Sequence, residues 1–446
     1  MNKNLLSGAS LFTNDDARPY YDNGAVVIGG GKIIAAGPRE ELKTAYPDAT
    51  EEKLAPGLLT PGLVNLHHHL YSSFARGWNP KANPRNFPQI LEQVWWRLDE
   101  ALGPDDIFNS AMIGLCESVL NGVTAVVDHH SSQNTIKDSL ELIASAFEEV
   151  GLRGSVCFEI SDRKGGKAFD IALKESVGAL GRWPYGARDS HLTAMVGLHA
   201  SMTLSDDSLA RVSEATKIDA PGYHFHLAED KADQDDSLSK YNMRAAQRFA
   251  KHGLLNEKSL AVHGVHLDKS EIAHLRSSGT NLALCPRSNQ NNAVGFAPWW
   301  DYDGVSIGFG TDGIGSDIIQ EAKSALHLSR HAKQDPDYGF ARVGQILLKD
   351  NPAIFEKITG RRVGKIAASY PADIVYWRYD APTSINAANI LGHVLYGICG
   401  TRADSVWVEG KRILEGGRFI GFDYGKVLAE SRALAGALWK RIQNID

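Results

Sequence analysis

With 446 residues the chain exceeds what one hydrophobic core usually serves, so two domains are expected. A hydrophobic content of 43% and a charged content of 22% are those of a globular protein, and no apolar run approaches the roughly 18 residues of a membrane helix. The net charge of −6, without a lysine or arginine stripe, argues against a nucleic-acid partner.

The first sixty residues alternate short β-type runs with turns: Ala25 to Ile28, then Gly29-Gly30-Gly31-Lys32, then Ile33 to Ala36. The glycine run lacks the GxxxxGK[ST] spacing of a phosphate loop and predicts a hairpin turn. Nothing in Met1 to Phe12 has the apolar core of an export signal, and a cytoplasmic location is expected. From about Leu63 to Leu348 apolar strands alternate with amphipathic helices, the pattern of βα units. Ile107, Ala111, Leu115 and Val119 mark one helical face before a strand Thr124 to Asp128; Ile136, Leu140, Ile143 and Phe147 mark the next, before a strand Ser155 to Ile160.

Strand candidates near Leu63, Ala125, Ser155, Thr193, Tyr223, Leu260, Leu282 and Val305 number eight, which suggests a closed barrel. After Gly364 β character returns in Ala372 to Trp377 and in a hairpin Asp404 to Ile413 turning at Glu409-Gly410, followed by a helix from about Val427 to Ile442. The expected fold class is therefore α/β, a (β/α)8 TIM-like barrel with a small β-sandwich domain built from both chain ends. The expected division is 1–58 for the first part of the sandwich, 59–363 for the barrel, and 364–446 for the remainder with its closing helix. Cys116, Cys157, Cys285 and Cys399 lie far apart in apolar contexts, as reduced core residues do.

In such a barrel the reactive groups stand at the C-terminal ends of the strands. Those positions hold His67 and His69, His199, His226, His263 and Asp312. Because side chains alternate along a strand, His67 and His69 point the same way and can grip one ion, while His68 faces elsewhere. His226 and Asp312 complete a set of three nitrogens and one oxygen that leaves a position for water, which suits Zn2+, with Fe2+ as the alternative.

The segments Pro61 to His69, His224-Phe225-His226-Leu227-Ala228-Glu229, Val262-His263-Gly264, Cys285-Pro286-Arg287-Ser288-Asn289 and Gly310-Thr311-Asp312 resemble the amidohydrolase superfamily, in its cytosine deaminase and atrazine chlorohydrolase-like branch. Leu70 to Gly77, Trp95 to Asp99, Val127 to His130 and Asn291 to Gly295 are most similar to SsnA-type aminohydrolases. The resemblance implies one divalent metal ion held by His67, His69, His226 and Asp312, with hydroxide on that ion attacking an aminated heterocycle, such as a purine or pterin, and ammonia leaving. It implies that Glu229 carries the water's proton to a ring nitrogen, that His263 polarises the water, and that Asp312 takes the second proton. His199 stands where a metal-bridging lysine is absent, and is expected to touch substrate or to be a buried structural histidine. Arg76 is expected to meet a carbonyl or anionic group, or to pair with an acid. At most one of Trp95 and Trp96 is expected to stack on the ring, with core packing the alternative for the pair; His129 is expected to be a substrate or supporting contact, and Asn289 to orient the ligands or substrate. A chlorohydrolase or N-alkylaminohydrolase acting on triazine-like rings shares this site, and an inactive scaffold relative is the alternative outside enzymology. A small heterocycle is the expected partner, with a homodimer implied by the family.

Overall fold

A computed structural model describes residues 3–187 and 190–444. Eight parallel strands form the barrel: β1 Leu63–His68, β2 Val123–His130, β3 Arg153–Ile160, β4 Val196–Leu198, β5 Tyr223–Leu227, β6 Leu260–His263, β7 Asn281–Leu284 and β8 Ser306–Phe309. Each pairs with the next in sequence order. The ring closes where the amides of Thr311 and Asp312 donate to the His67 carbonyl at 2.9 and 3.0 Å, and where His68 bridges to Asp312. That closure requires a glycine: a Cβ on Gly310 would lie 2.6 Å from the His67 Cβ and 2.8 Å from its backbone nitrogen.

The fourth strand departs from the expected single run near Thr193. Leu192–Ala194 and Val196–Leu198 are separate pieces, both pairing with β3. Helices Pro104–Leu120 and Ser139–Val150 follow the predicted stripes, the second ending at Gly151 with φ 81°, a left-handed position that glycine adopts without a Cβ penalty.

Two further sheets pack together. One is built from Asn4–Ser7, Gly24–Gly29, Lys32–Pro38 and Thr50–Lys53. The other joins Ser10–Phe12, Tyr20–Tyr21 and Leu58–Pro61 from the beginning of the chain to Ile374–Trp377, Ser405–Val408, Lys411–Glu415 and Arg418–Phe419 from its end. Leu6, Leu11, Val26, Ile28, Leu59, Ile374, Tyr376 and Trp407 fill one core between them. In the late hairpin Glu409 and Gly410 both take positive φ, 49° and 75°, as a two-residue turn with right-twisted strands requires. The C-terminal helix, Tyr424–Ile442, lies against Pro104–Leu120, and its Trp439 Nε1 donates to the Phe74 carbonyl. Among the described residues no helix is long and apolar enough to cross a membrane.

Candidate active site

The C-terminal ends of the strands carry a dense group of imidazoles and carboxylates. β1 supplies His67, with His69 in extended conformation just past its end, and β5 supplies the alternate residues His224 and His226. His263 ends β6, and Asp312 follows β8. His263 and Asp312 both have left-handed backbones, φ 74° and 55°, conformations that cost a residue with a Cβ on the order of 1 kcal/mol or more and tend to cluster at functional sites.

Hydrogen bonds fix what each ring presents. His69 Nδ1 lies 2.6 Å from the His129 carbonyl, and His226 Nδ1 lies 3.0 Å from the His199 carbonyl. A carbonyl only accepts, so both Nδ1 atoms carry the hydrogen and both Nε2 atoms are lone pairs. Those lone pairs face each other at 3.2 Å, with Asp312 Oδ1 3.2 Å from His69 Nε2. His67 Nε2 lies 3.6 Å from the same carboxylate oxygen and is buried without a hydrogen-bond partner. Acceptors gathered with no hydrogen between them repel one another, and a cation in their midst removes the repulsion. Burial, with the neighbouring imidazoles, pushes the pKa values of His67 and His226 well below the usual histidine range, so these rings are neutral donors of electron pairs. Asp312 accepts from the Gly313 amide at 2.7 Å and from Ser288 Oγ at 2.5 Å, bonds that favour its ionised form. The donor set thus fits a divalent metal ion.

His263 has the opposite polarity. Asn289 Nδ2 sits 3.0 Å from its Nδ1 and donates there, leaving the hydrogen on Nε2, 3.3 Å from Glu229 Oε2 and 3.9 Å from Asp312 Oδ2. Glu229 also accepts from Asn292 Nδ2 at 3.3 Å. Burial, followed by the charge of Asp312, raises the Glu229 pKa well above the carboxylic range.

Over this group opens a pocket lined by His69, His199, His226, Glu229, His263 and Asp312 together with the apolar Phe87, Leu91, Trp95 and Trp96. Both tryptophans line it. Leu91–Trp95 is a π-helical turn, whose wider winding reduces the angle between successive side chains.

Other expected contacts lie elsewhere. Arg76 does not reach the pocket; its guanidinium pairs with Glu117, the structural alternative for that residue. His129 is fully buried beneath the imidazoles, its Nε2 donating to the carbonyls of Leu198 and His224 at 3.1 and 3.2 Å. Asn289 bears on His263 and is not part of the pocket lining. His199 does line it, with Nδ1 2.7 Å from Thr203 Oγ1. His68 turns away to Ser316 Oγ at 2.9 Å.

Several participants had no role assigned from sequence. His224 Nε2 supports His67 Nδ1 at 2.9 Å, Ser288 and Asn292 hold Asp312 and Glu229, and Asp99 and Glu159 bring two more carboxylates to the pocket. The alternation of His224 with His226 on one strand was a usable signal for the first of these.

A family profile described as "Amidohydrolase family" matches residues 58–413, and one described as "Imidazolonepropionase-like composite domain, bacteria" matches residues 24–49. The chain is 26% identical to a 5-methylthioadenosine/S-adenosylhomocysteine deaminase of Pelotomaculum thermopropionicum, covering 97% of this chain and 98% of that protein. It is 27% identical to an 8-oxoguanine deaminase of Pseudomonas aeruginosa, covering 92% and 95%. The structure of an adenosine deaminase from Xanthomonas campestris, solved with zinc bound, superposes with a TM-score of 0.83 at 22% identity, covering 99% of this chain and 98% of that one.

Proposed function

Since the chain belongs to the amidohydrolase family, we propose that it is a metal-dependent deaminase that hydrolyses the exocyclic amino group of a purine or similar aminated heterocycle, releasing ammonia. The observation that carries this reading is the meeting of the His69 and His226 lone pairs at 3.2 Å beside Asp312, an arrangement made for a cation. The similarity to purine and adenosine-type deaminases over nearly the whole chain supports the leaving group.

On this proposal His67, His69, His226 and Asp312 hold one divalent ion, zinc by the chemistry of three imidazoles and a carboxylate. When bound, such an ion makes water acidic enough to attack at neutral pH. The remaining work belongs to the side chains. Glu229 takes a proton from the attacking water and gives it to a ring nitrogen, removing aromatic stabilisation as the carbon is attacked. His263, with its Nε2 hydrogen directed between Glu229 and Asp312, donates to the oxygen entering there. Asp312 accepts the second proton and passes it to the departing amine. Trp95 and Trp96 line the same pocket and help to keep bulk water from the ring.

The test is ammonia release from zinc-loaded protein across aminopurines, aminopterins, aminopyrimidines and aminotriazines, with Glu229→Gln as control. The expected result is turnover of at least one ring and a loss of about 10²- to 10⁴-fold in the variant at unchanged metal content. Full activity of Glu229→Gln would remove the proton-carrying role, and a metal-replete protein that releases no ammonia from any ring would remove the deaminase reading.

A further inference from the structure

Beyond the proposed metal ligands the pocket wall carries three acceptor groups, Glu159, His199 and Asp99, beside the Tyr71 hydroxyl and the Trp96 indole. Glu159, at the end of β3, lines the pocket and places a carboxylate oxygen within 4.8 Å of ring nitrogens of both His199 and His226. Its Oε1 is engaged by Arg163 at 3.2 Å and lies 3.3 Å from Ser131 Oγ, whose one hydrogen goes to Asp99 at the shorter distance of 2.9 Å. Its Oε2 has no hydrogen-bond donor among the described residues, and the ion-pair distance it makes is to His129 Nδ1, at 3.7 Å. That nitrogen is no donor, because His129 spends its ring hydrogen from Nε2 on two carbonyls.

His199 adds a second acceptor. Thr203 Oγ1 gives its hydrogen to the Ala200 carbonyl and so receives one from His199 Nδ1, which leaves His199 Nε2 as a lone pair on the wall. Asp99 adds a third group: Oδ2 is held by Arg163 at 2.6 Å and by Ser131 at 2.9 Å, while Oδ1 is buried with no partner. One arginine therefore serves two carboxylates. Burial, with Glu159's charge adding to it against the pull of Arg163, raises the Asp99 pKa to about 7. The Glu159 oxygen and the His199 lone pair are buried acceptors without donors, which are costly, so a ligand that supplies hydrogens is favoured there and one that cannot is rejected.

We infer that Glu159, with His199 and Asp99 beside it, selects rings that present unsubstituted N–H groups, as an oxopurine base does, over rings whose nitrogens carry an alkyl or sugar substituent. The position of Glu159 next to His199 and His226 sets this reading on the reacting ring itself, not on a distant substituent. The inference deepens the deaminase proposal and rests on it for the identity of the ring.

The experiment measures binding, so that it does not depend on turnover. Hypoxanthine, a neutral oxopurine with no amino group to lose, and its 1-, 7- and 9-methyl derivatives are titrated calorimetrically into zinc-loaded protein and into Glu159→Gln. Methylation of at least one ring nitrogen should weaken binding tenfold or more in the unaltered protein, and that penalty should fall below threefold in Glu159→Gln. Asp99→Asn is the second variant, with thermal melting and metal content as folding controls for both, and it too should shrink the penalty. Equal binding of all four rings, a penalty undiminished in folded variants, or no binding of hypoxanthine at all would overturn the inference. The expected binding pattern without ammonia release from any amino ring would count against the deaminase reading alone.

Discussion

At the residue scale the site is organised by tautomer. His69 and His226 give their Nδ1 hydrogens to backbone carbonyls and expose lone pairs, while His263 receives a hydrogen from Asn289 and exposes an N–H. The same side chain thus becomes an electron-pair donor to a cation or a hydrogen donor to substrate, according to which backbone or amide group lies behind it. His67 depends in the same way on His224, which has Cys157 Sγ 3.6 Å behind it. His224→Phe keeps the buried volume and removes the support. It should lower zinc affinity by about 10- to 100-fold, measured by competition with a chromophoric chelator. Unchanged affinity in a folded variant would show that His67 needs no partner.

At the element scale, the site exists because β1 and β8 come close enough for Asp312 to meet His67 and His69. The bonds from Thr311 and Asp312 to the His67 carbonyl make that junction, and Gly310 leaves the space for it. Gly310→Ala forces a methyl group into the backbone of His67 and should cost about 1–3 kcal/mol of stability, with metal retention falling in parallel. Equilibrium urea unfolding and metal analysis check this; a variant as stable as the parent would mean that the seam can move. The π-helical turn Leu91–Trp95 is a second such element: it ends at Trp95, Trp96 opens the helix that follows, and both rings line one cavity.

At the scale of the whole molecule, barrel and sandwich are tied by buried charge. Arg153, at the start of β3, pairs with Asp373, which precedes the strand Ile374–Trp377, and reaches Glu409 at 3.6 Å in the late hairpin. Arg153 and Asp373 are 1% and 2% exposed, so removing one strands the other away from water. Arg153→Ala should cost about 3–5 kcal/mol, and Arg153→Ala with Asp373→Ala should recover part of it, because the penalty is mainly that of an uncompensated buried carboxylate. Denaturant unfolding of both variants is the measurement; a double variant no more stable than the single one would place the cost in lost packing instead.

Much of this architecture is legible in the order of residues. Strand and helix periodicities locate the βα units, turn residues such as Glu409-Gly410 locate the hairpin, and histidines or aspartate immediately after apolar runs mark the mouth of the barrel, because strand ends and polar residues coincide along the chain. What could not be read there are relations between residues far apart in sequence. Arg76 looked like a pocket residue from its place after β1 and turned to Glu117, 41 positions away, since an exposed loop has no periodicity to fix its direction. Glu159 carried no motif and Asp99 only closed the run Trp95 to Asp99, with no role attached to it; that both pair with Arg163, across 60 residues of chain, shows only in the fold. The sequence by itself determined which chemical groups stand at each strand end, because side-chain alternation and element lengths are local properties. Only the tertiary structure decided which lone pairs face one another, which hydrogens are already spent and which carboxylates lack a donor, because each of those depends on the partner that folding brings up behind it.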